Sequence, residues 1–316
     1  MKCGTCPVTT VDLKLTVTKP SMKKVSVLPK ADFLAITWTE AETWGLATVF
    51  GAGKYTFETT TQNNFTPLLI DGLQPPDDEM YHAQFFKATV NGRSVVCLKS
   101  NFHPKVQTSS TAMFFDKILG SASNPNYNYL ITSGTSGGIW ASLDVGDVVV
   151  TNSARYGMTL PQEKQQLIFT GAINVGGGNP PAGYSNWYDY VTNEIMKNDA
   201  CVNSTLMTPG GRKTSSPKPA IYYMPSGVSL TDVVTNSKIS ESECSKISTY
   251  RTLGATLDEN DAYVAETCKS IGFQNWISIR NISDLPCSPN KDQYTTYDLC
   301  SSINGAYAVW AFVMSH

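Results

Sequence analysis

The stretch Tyr129-Leu-Ile-Thr-Ser-Gly-Thr-Ser-Gly-Gly138 says most about the fold of this chain. Its first half belongs to a short apolar segment, residues 127–132, with the length and composition of a buried strand. Its second half, from Gly134 to Gly138, combines glycines with hydroxyl side chains, so backbone N–H groups and side-chain oxygens can approach a polar ligand. It lacks the lysine of a P-loop and the glycine spacing of a dinucleotide-binding loop. The stretch therefore predicts a buried strand followed either by a ligand-binding turn or by a plain tight turn.

Segments of strand length alternate with segments of helical periodicity along the rest of the chain. Strands are predicted at residues 33–38, 81–90, 94–99, 147–152, 220–224 and 276–280, and helices at residues 106–119, 262–271 and 294–313. Asn91-Gly92 predicts a tight hairpin turn between two of these strands. The Gly- and Pro-rich residues 174–183 predict a long loop over a site. This alternation predicts an α/β fold with a central mixed sheet under helices, in one domain over residues 31–316 that follows an N-terminal arm, residues 1–30.

The composition limits the class of protein and of partner. The chain has 316 residues, 41% hydrophobic and 16% charged, which is apolar enough to build a core. Its 24 Lys and Arg against 26 Asp and Glu give a net charge of −2, so it carries no basic field for nucleic acid or an anionic membrane. The longest apolar run, residues 306–314, is short of the roughly 20 residues of a membrane helix. Residues 1–10 lack the apolar core of a signal peptide. We expect a cytoplasmic protein without a nucleic-acid or membrane partner.

The cysteines are spread thinly, which is not the pattern of a small disulfide scaffold. Eight cysteines occur in 316 residues, and only Cys3 and Cys6 stand close together. We therefore expect reduced thiols, with a redox or metal role for the close pair as the alternative.

Carboxylates follow two of the predicted strands and precede one of the predicted helices. Asp284 comes just after the strand at residues 276–280, and Glu40 and Glu42 follow the strand at residues 33–38. A carboxylate beyond a buried strand end can act as a general acid, although Asp284 can equally cap the following turn. The acidic run Asp258-Glu-Asn-Asp261 precedes a helix, where acids are usually caps. Carboxylates also accept hydrogen bonds from sugar hydroxyls and stabilise a developing cationic sugar.

Four segments in order resemble the nucleoside phosphorylase/nucleosidase superfamily, and most closely its methylthioadenosine/S-adenosylhomocysteine nucleosidases. The segments are Asn91-Gly-Arg-Ser-Val-Val-Cys-Leu-Lys-Ser100, Tyr129 to Gly138, Leu143-Asp-Val-Gly-Asp-Val-Val-Val150 with Ala154-Arg-Tyr156, and Trp276-Ile-Ser-Ile-Arg-Asn-Ile-Ser-Asp284. The resemblance covers about residues 33–313. It implies a three-layer αβα sandwich, cleavage of an N-ribosidic bond of a purine nucleoside or nucleotide, no cofactor or metal, and a homo-oligomer.

The resemblance also implies roles for residues at the matching positions. Asp284 would protonate the leaving base, and its neighbour Ser283 would contact the substrate. Glu42 would activate water, with Glu40 as a second choice for that role. The residues that would contact the sugar or the nucleophile lie in the glycine-rich segment: Gly134, Thr135, Ser136 and Gly137.

The chain departs from the superfamily pattern at two places. Members of the superfamily have a carboxylate at the ribose. When the alignment starts from the acidic run, Glu259 takes that position, and when it is counted back from Arg280 without gaps, Asp261 takes it. We favour Glu259. His103 stands where compact members carry a Gly-rich turn, and it either lines the site or is structural.

Three alternatives to hydrolysis remain open. A phosphorylase of the same fold would need cations around phosphate, and the segment 131–139 contains no Lys or Arg. An effector that depletes a nucleotide would need basic side chains at a 5′-phosphate, for which Arg155 and Lys105 are candidates. The altered acidic run is also compatible with a catalytically silent storage or sensing protein.

Overall fold

The computed structural model describes residues 24–51, 65–76, 79–103, 109–121, 124–157, 162–176, 178–196, 219–223, 229–231, 244–288 and 293–316. Everything below refers to these residues. Residues 1–23 of the predicted arm, which include Cys3 and Cys6, lie outside the described residues. Lys105 lies outside them as well. The division into an arm and one domain therefore stays a prediction.

Fourteen strands are described. In chain order they are β1 Ala31–Thr37, β2 Thr66–Leu68, β3 Ala83–Val90, β4 Arg93–Ser100, β5 Gly120–Ser121, β6 Asn124–Pro125, β7 Tyr127–Gly138, β8 Val148–Thr151, β9 Ser153–Tyr156, β10 Ile168–Thr170, β11 Ile221–Tyr223, β12 Ser229–Thr231, β13 Thr256–Asp258 and β14 Trp276–Asp284.

Seven α-helices are described between them. They are α1 Glu40–Val49, α2 Ser109–Leu119, α3 Gln162–Gln165, α4 Trp187–Tyr190, α5 Ile247–Leu253, α6 Asp261–Ser270 and α7 Gln293–Ser315, and a π-helical segment Val191–Ile195 continues α4. No helix among the described residues is long and apolar enough to cross a membrane.

Twelve of the strands form one mixed sheet, as predicted. Its main order is β10-β9-β12-β13-β7-β1-β4-β3-β2, and β14 and β11 join it through β7 and β8. The long strand β7 is central: β1 pairs with it in parallel on one side, with Leu34 opposite Leu130. On the other side β14 pairs with it in parallel, with Ile277 opposite Ile131. Because the three strands are parallel, their carboxyl ends meet at one edge of the sheet.

Helices cover both faces of the sheet, which confirms the predicted three-layer arrangement. Alternate residues of β1 face opposite sides, as the period of a strand requires. Leu34 and Ile36 pack in a core cluster with helices α2 and α6. Phe33 and Ala35 pack in a second cluster with α1 and α7. Between β3 and β4 the predicted hairpin turn is confirmed, with Asn91 at φ +49° and Gly92 at φ +78°.

The glycine-rich segment after residue 133 is a strand and not the predicted turn. Gly134, Thr135 and Ser136 continue the pairing of β7 with β14, and Gly137 and Gly138 pair with β13. The backbone N–H and C=O groups of this segment are therefore paired with neighbouring strands, whereas in a turn they would be available to bind a ligand. The partner strand is also longer than predicted, since it continues through Asp284.

The cysteines differ from the expected reduced thiols. Cys244 and Cys287 form a disulfide across 43 residues, and Cys300 is disulfide-bonded as well. Cys97 and Cys268 are free, and burial raises the pKa of both thiols far above the usual range, so they are inert core residues. Spacing along the chain did not reveal the disulfide because its two cysteines meet only in the folded protein.

Candidate active site

A cavity lies at the carboxyl ends of β1, β7 and β14, the edge where α/β folds place ligands. The connection from β13 to α6 and the first turn of α7 complete its wall. The lining residues are Trp38, Thr39, Glu42, His103, Thr135, Ser136, Gly137, Leu257, Asp258, Glu259, Asn260, Ser283, Asp284, Pro286 and Tyr294. Segments from six parts of the sequence therefore converge on one site.

Glu42 lies in the first turn of α1, and its carboxylate accepts four hydrogen bonds. Oε2 accepts from the backbone N–H groups of Trp38 and Thr39, both at 2.9 Å, and the Thr39 hydroxyl caps the helix in return. Oε1 accepts from the N–H of Thr135 at 2.8 Å and from its hydroxyl at 2.9 Å. A carboxylate offers about four acceptor positions. Glu42 can therefore take a proton from water only when one donor leaves, and the rotatable Thr135 hydroxyl is the donor that can leave most easily.

Beneath the cavity lies a buried ionic network centred on Arg280. Its Nε donates to Asp261 Oδ2 at 2.9 Å, and its Nη2 donates to Asp261 Oδ1. Thr132 and Ser278 donate their hydroxyls to the same carboxylate, and Asp258 Oδ1 lies 3.9 Å from Nη2. Burial alone would lower the pKa of Arg280, but Asp261 and Asp258 outweigh it and raise that pKa above its ordinary value. Asp261 is thus held by four donors under the site and does not line the cavity.

Because Gly134 has no side chain, Glu42 and Arg280 can pack directly against the backbone of β7. A Cβ at this position would lie 2.7 Å from Glu42 Oε1 and 2.8 Å from Arg280 Nη1. No larger residue fits without moving the carboxylate or the guanidinium. Gly134, predicted to bind substrate, therefore positions Glu42 and Arg280 and does not line the cavity.

Asp284 is the last residue of β14 and lines the cavity with only 8% of its surface exposed. The hydroxyl of Ser283 donates to its Oδ1 at 2.8 Å. Pro286 covers the neighbouring part of β7, because a Cβ on Gly137 would come within 2.4 Å of the proline ring. The disulfide holds this segment in place, since Cys287 follows Pro286 directly. A shielded carboxyl group on rigid backbone can deliver a proton to one defined ligand atom.

The acidic run before α6 presents its members in different directions. Glu259 lines the cavity, with its Oε2 3.7 Å from His103 Nε2, and both side chains are partly exposed. Asn260 also lines the cavity but is buried. Between the two candidates for the ribose carboxylate, only Glu259 therefore faces the cavity.

Tyr294 is a cavity residue that the sequence did not reveal. It lies in the first turn of α7 and forms a side-chain hydrogen bond with Thr135. Burial and the nearby carboxylates of Glu42 and Asp298 raise the pKa of Tyr294 to about 12, so the phenol is a neutral hydrogen-bond donor at physiological pH. No local pattern marks it, because it reaches the cavity only through the packing of α7.

Most of the predicted site residues come together, and a few lie elsewhere. Eight line the one cavity: Glu42, His103, Thr135, Ser136, Gly137, Glu259, Ser283 and Asp284. Glu40 is not among the described lining residues, and Arg155 on β9 donates to the Gln165 carbonyl at 2.7 Å. The described part of the loop at residues 174–183 lies against the end of α7, where the Gly178 N–H donates to the Ser315 carbonyl. Its predicted position over the site is wrong.

The cavity is acidic and offers little to an anion. Among its described lining residues are four carboxylates and one histidine, with no Lys or Arg. The Thr135 N–H, which could have bound a phosphate, is already bonded to Glu42. In the described part of the chain, no three His, Cys, Asp or Glu side chains are arranged to hold a metal ion.

Comparisons with known proteins identify the fold. No family model matches the sequence, and no curated protein is detectably similar to it. A methylthioadenosine/S-adenosylhomocysteine nucleosidase from Colwellia psychrerythraea, solved with adenine, matches with a TM-score of 0.54 at 16% identity over 92% of this chain and 97% of that chain. The Helicobacter pylori enzyme, a mutant solved with 5′-methylthioadenosine, gives 0.55 at 12% identity over 90% and 99%. Futalosine hydrolase of the same organism gives 0.51 at 12% identity over 90% and 97%. The chain therefore has the fold shared by the methylthioadenosine/S-adenosylhomocysteine nucleosidases and futalosine hydrolase, as its sequence motifs predicted.

Proposed function

We propose that this protein is a purine nucleosidase that hydrolyses the N-ribosidic bond of a nucleoside. The observation that carries the proposal is the convergence of Asp284 and Glu42 on one cavity with Thr135 and Ser136, as the motifs required. The solved structures of the same fold are nucleosidases and a hydrolase, two of them holding adenine or a nucleoside, which supports the same class of reaction here.

Asp284 acts as the general acid. In its protonated form it transfers a proton to N7 of the purine while the bond from C1′ to N9 breaks, and the electron pair of that bond leaves with the base. The sugar becomes cationic at C1′, and the carboxylates of the cavity stabilise that charge because they stand in a partly dry site. The Ser283 hydroxyl donates to one oxygen of Asp284 and so helps to fix the orientation of the carboxyl group in the cavity.

Glu42 activates water together with Thr135. The Thr135 hydroxyl leaves Glu42 Oε1 and a water takes its place, so this oxygen can accept the water proton as the new bond to C1′ forms. Tyr294, hydrogen-bonded to Thr135, donates to the displaced hydroxyl or to the water. The products are the free base and the free sugar.

The substrate carries no phosphate in this proposal. The described lining lacks Lys and Arg, and the backbone donor nearest Glu42 is occupied, so the described part of the cavity offers no charge-assisted hydrogen bond to a 5′-phosphate or to phosphate as nucleophile. This argues against the phosphorylase and against an effector that depletes a nucleotide. The remaining alternative is a catalytically silent storage or sensing protein. It is favoured by Asp261, whose carboxylate is already hydrogen-bonded to Thr132 and Arg280 and so is not available to a sugar.

A nucleoside panel in phosphate-free buffer tests the proposal. We expect release of free base and free sugar from at least one purine nucleoside, and Glu42→Gln should abolish it. Turnover that requires phosphate and yields a sugar 1-phosphate would overturn hydrolysis. Binding of nucleosides without any turnover would favour the silent protein.

The assembly and the compartment stay predictions. A homo-oligomer is expected from the sequence resemblance alone. The cytoplasmic location is weakened by the disulfide between Cys244 and Cys287, because disulfides persist mainly in oxidising compartments.

A further inference from the structure

The strand that carries Asp284 becomes irregular just before that residue. The pairing of β14 with β7 shifts its register between Ile282 and Asp284, and Asp284, opposite Gly137, is the last residue of both the pairing and the strand. Such an irregularity re-aims a side chain, but it also interrupts the ladder that holds the backbone in place. The position of Asp284 therefore depends on what secures the chain directly after it, at residues 285–288.

Leu285 and Pro286 fasten this part of the backbone by noncovalent contacts. The N–H of Leu285 donates to Gln293 Oε1 at 3.0 Å, in the first turn of α7. The ring of Pro286 packs so closely on β7 that a Cβ on Gly137 would overlap it. Both contacts hold only while residues 285–288 stay where they are.

A disulfide reinforces these contacts with a covalent bond. Cys287 is joined to Cys244, which packs against a core cluster that includes Leu257. Leu257 lines the cavity from β13, just before the acidic run, and Pro286 lines it from the end of β14. The disulfide therefore ties the wall that contains the proposed acid to the wall that contains the acidic run.

Reagents in solution can reach this disulfide. Cys287 is exposed and Cys244 is partly buried. Exposed disulfides are reduced more readily than buried ones. A dithiol reduces the bond in two exchanges. Its first thiolate attacks the Cys287 sulfur, and Cys244 leaves as a thiolate that takes up a proton. Its second thiol then displaces Cys287 as a thiol, and the reagent is left as a disulfide.

We propose that the disulfide between Cys244 and Cys287 is a redox modification site that controls the proposed general acid. Reduction releases residues 285–288, so Asp284 loses its fixed position and turnover falls; oxidation by a small disulfide restores it. A displacement of about 1 Å in a site can cost about a hundredfold in rate. The protein is then much less active in a reducing compartment than in an oxidising one. This inference rests on the proposed nucleosidase function and adds its regulation.

The test compares turnover of the oxidised protein, of the protein reduced with dithiothreitol, and of the same sample re-oxidised with oxidised glutathione. The substrate is the purine nucleoside that the oxidised protein cleaves best. We expect reduction to lower kcat by about tenfold or more and to change KM by less than about twofold, because the acid acts in the chemical step. Re-oxidation should restore kcat.

Two variants separate this disulfide from the one formed by Cys300. The double variant Cys244→Ser/Cys287→Ser should have the low kcat of the reduced protein and should not respond to dithiothreitol. Cys300→Ser is the matched control, since Cys300 is bonded to a different cysteine. This variant should keep the kcat of the oxidised protein and its response to dithiothreitol.

Amide hydrogen exchange, followed by mass spectrometry, supplies a readout that needs no substrate. On reduction, residues 284–288 should exchange about tenfold faster or more, because a local opening no longer has to strain a covalent bond. Residues 31–37 of β1, which pairs with strands on both sides, should keep their exchange rates.

The possible results point in different directions. An unchanged kcat after reduction, a change in KM alone, or unchanged exchange at residues 284–288 overturns the inference, while turnover by the oxidised protein leaves the proposed function standing. Faster exchange throughout the chain overturns it too, because the disulfide would then stabilise the whole fold. If the oxidised protein cleaves no purine nucleoside, the proposed function falls, and redox control of turnover falls with it.

Discussion

Two groups of buried polar residues near the cavity differ in how far their hydrogen-bonding needs are met. Below the cavity, Asp261 accepts hydrogen bonds from four groups and Arg280 is enclosed by carboxylates. In the wall, Asn260 and Ser136 hold buried atoms without a partner in the described structure. Both groups are almost completely shielded from water.

The difference separates scaffold from ligand-binding surface. A buried charge network is tolerable only when each member is paired, and then it fixes the positions of its neighbours. Unpaired buried atoms in a cavity are costly until a ligand meets them. Changes in the network should therefore affect stability first, and changes in the wall should affect activity first. The following predictions test this division in order of decreasing effect.

The largest effect is expected at Asp284. Asp284→Asn removes the proposed proton donor to the base and should lower kcat by about 10²–10⁴-fold while the unfolding temperature changes little. Asp116→Asn, at an exposed acid of α2, is the control and should change neither quantity. If Asp284 is instead a cap, its variant will lose about 1 kcal/mol of stability and keep normal turnover.

Arg280→Met should have the largest effect on stability. It leaves Asp261 and Asp258 buried without their cation, so the free energy of unfolding should fall by about 3–5 kcal/mol. Urea unfolding followed by circular dichroism measures this. A loss below about 1 kcal/mol would show that the network is not structural, and the division between the two groups would fail.

Substitutions at Asp261 and at Glu259 should have different effects, the first on stability and the second on substrate binding. Asp261→Asn should destabilise the protein by roughly 2–4 kcal/mol, because it weakens the pairing of a buried guanidinium. Glu259→Gln, at a partly exposed wall residue, should leave the unfolding free energy within about 0.5 kcal/mol and raise KM a few-fold. The reverse order would place Asp261 at the substrate and Glu259 in the scaffold.

The smallest effect is expected at Tyr294. Tyr294→Phe removes one neutral donor beside Thr135 and should lower kcat/KM by about 3–10-fold. Because the neutral phenol is the donor and its pKa is raised to about 12, its contribution is present at lower pH and disappears only as the pH nears that value. The pH–rate profiles of the two proteins should thus have the same shape up to about pH 10. A decline in activity below about pH 10 that Tyr294→Phe abolishes would refute this assignment.

The sequence by itself determined the architecture and the place of the site. Short, bounded apolar runs predicted the strands, Asn91-Gly92 predicted the hairpin, and the resemblance carried by four motifs in order implied the αβα fold and the acids of the site. The strands and the hairpin are local features, since backbone geometry and burial period set them within about ten residues. For the same reason Asp284 and Glu42 could be placed at strand ends before their neighbours were known.

Only the tertiary structure decided which side chains face the cavity. Glu259, Asn260 and Asp261 are consecutive, but Arg280 binds Asp261 and holds it beneath the cavity, while Glu259 and Asn260 line it. The glycine-rich segment is strand because β13 and β14 pair with it. The disulfide between Cys244 and Cys287 likewise joins residues far apart in sequence. In each case the deciding partner is distant along the chain, and no local pattern encodes a contact that forms only when the chain has folded.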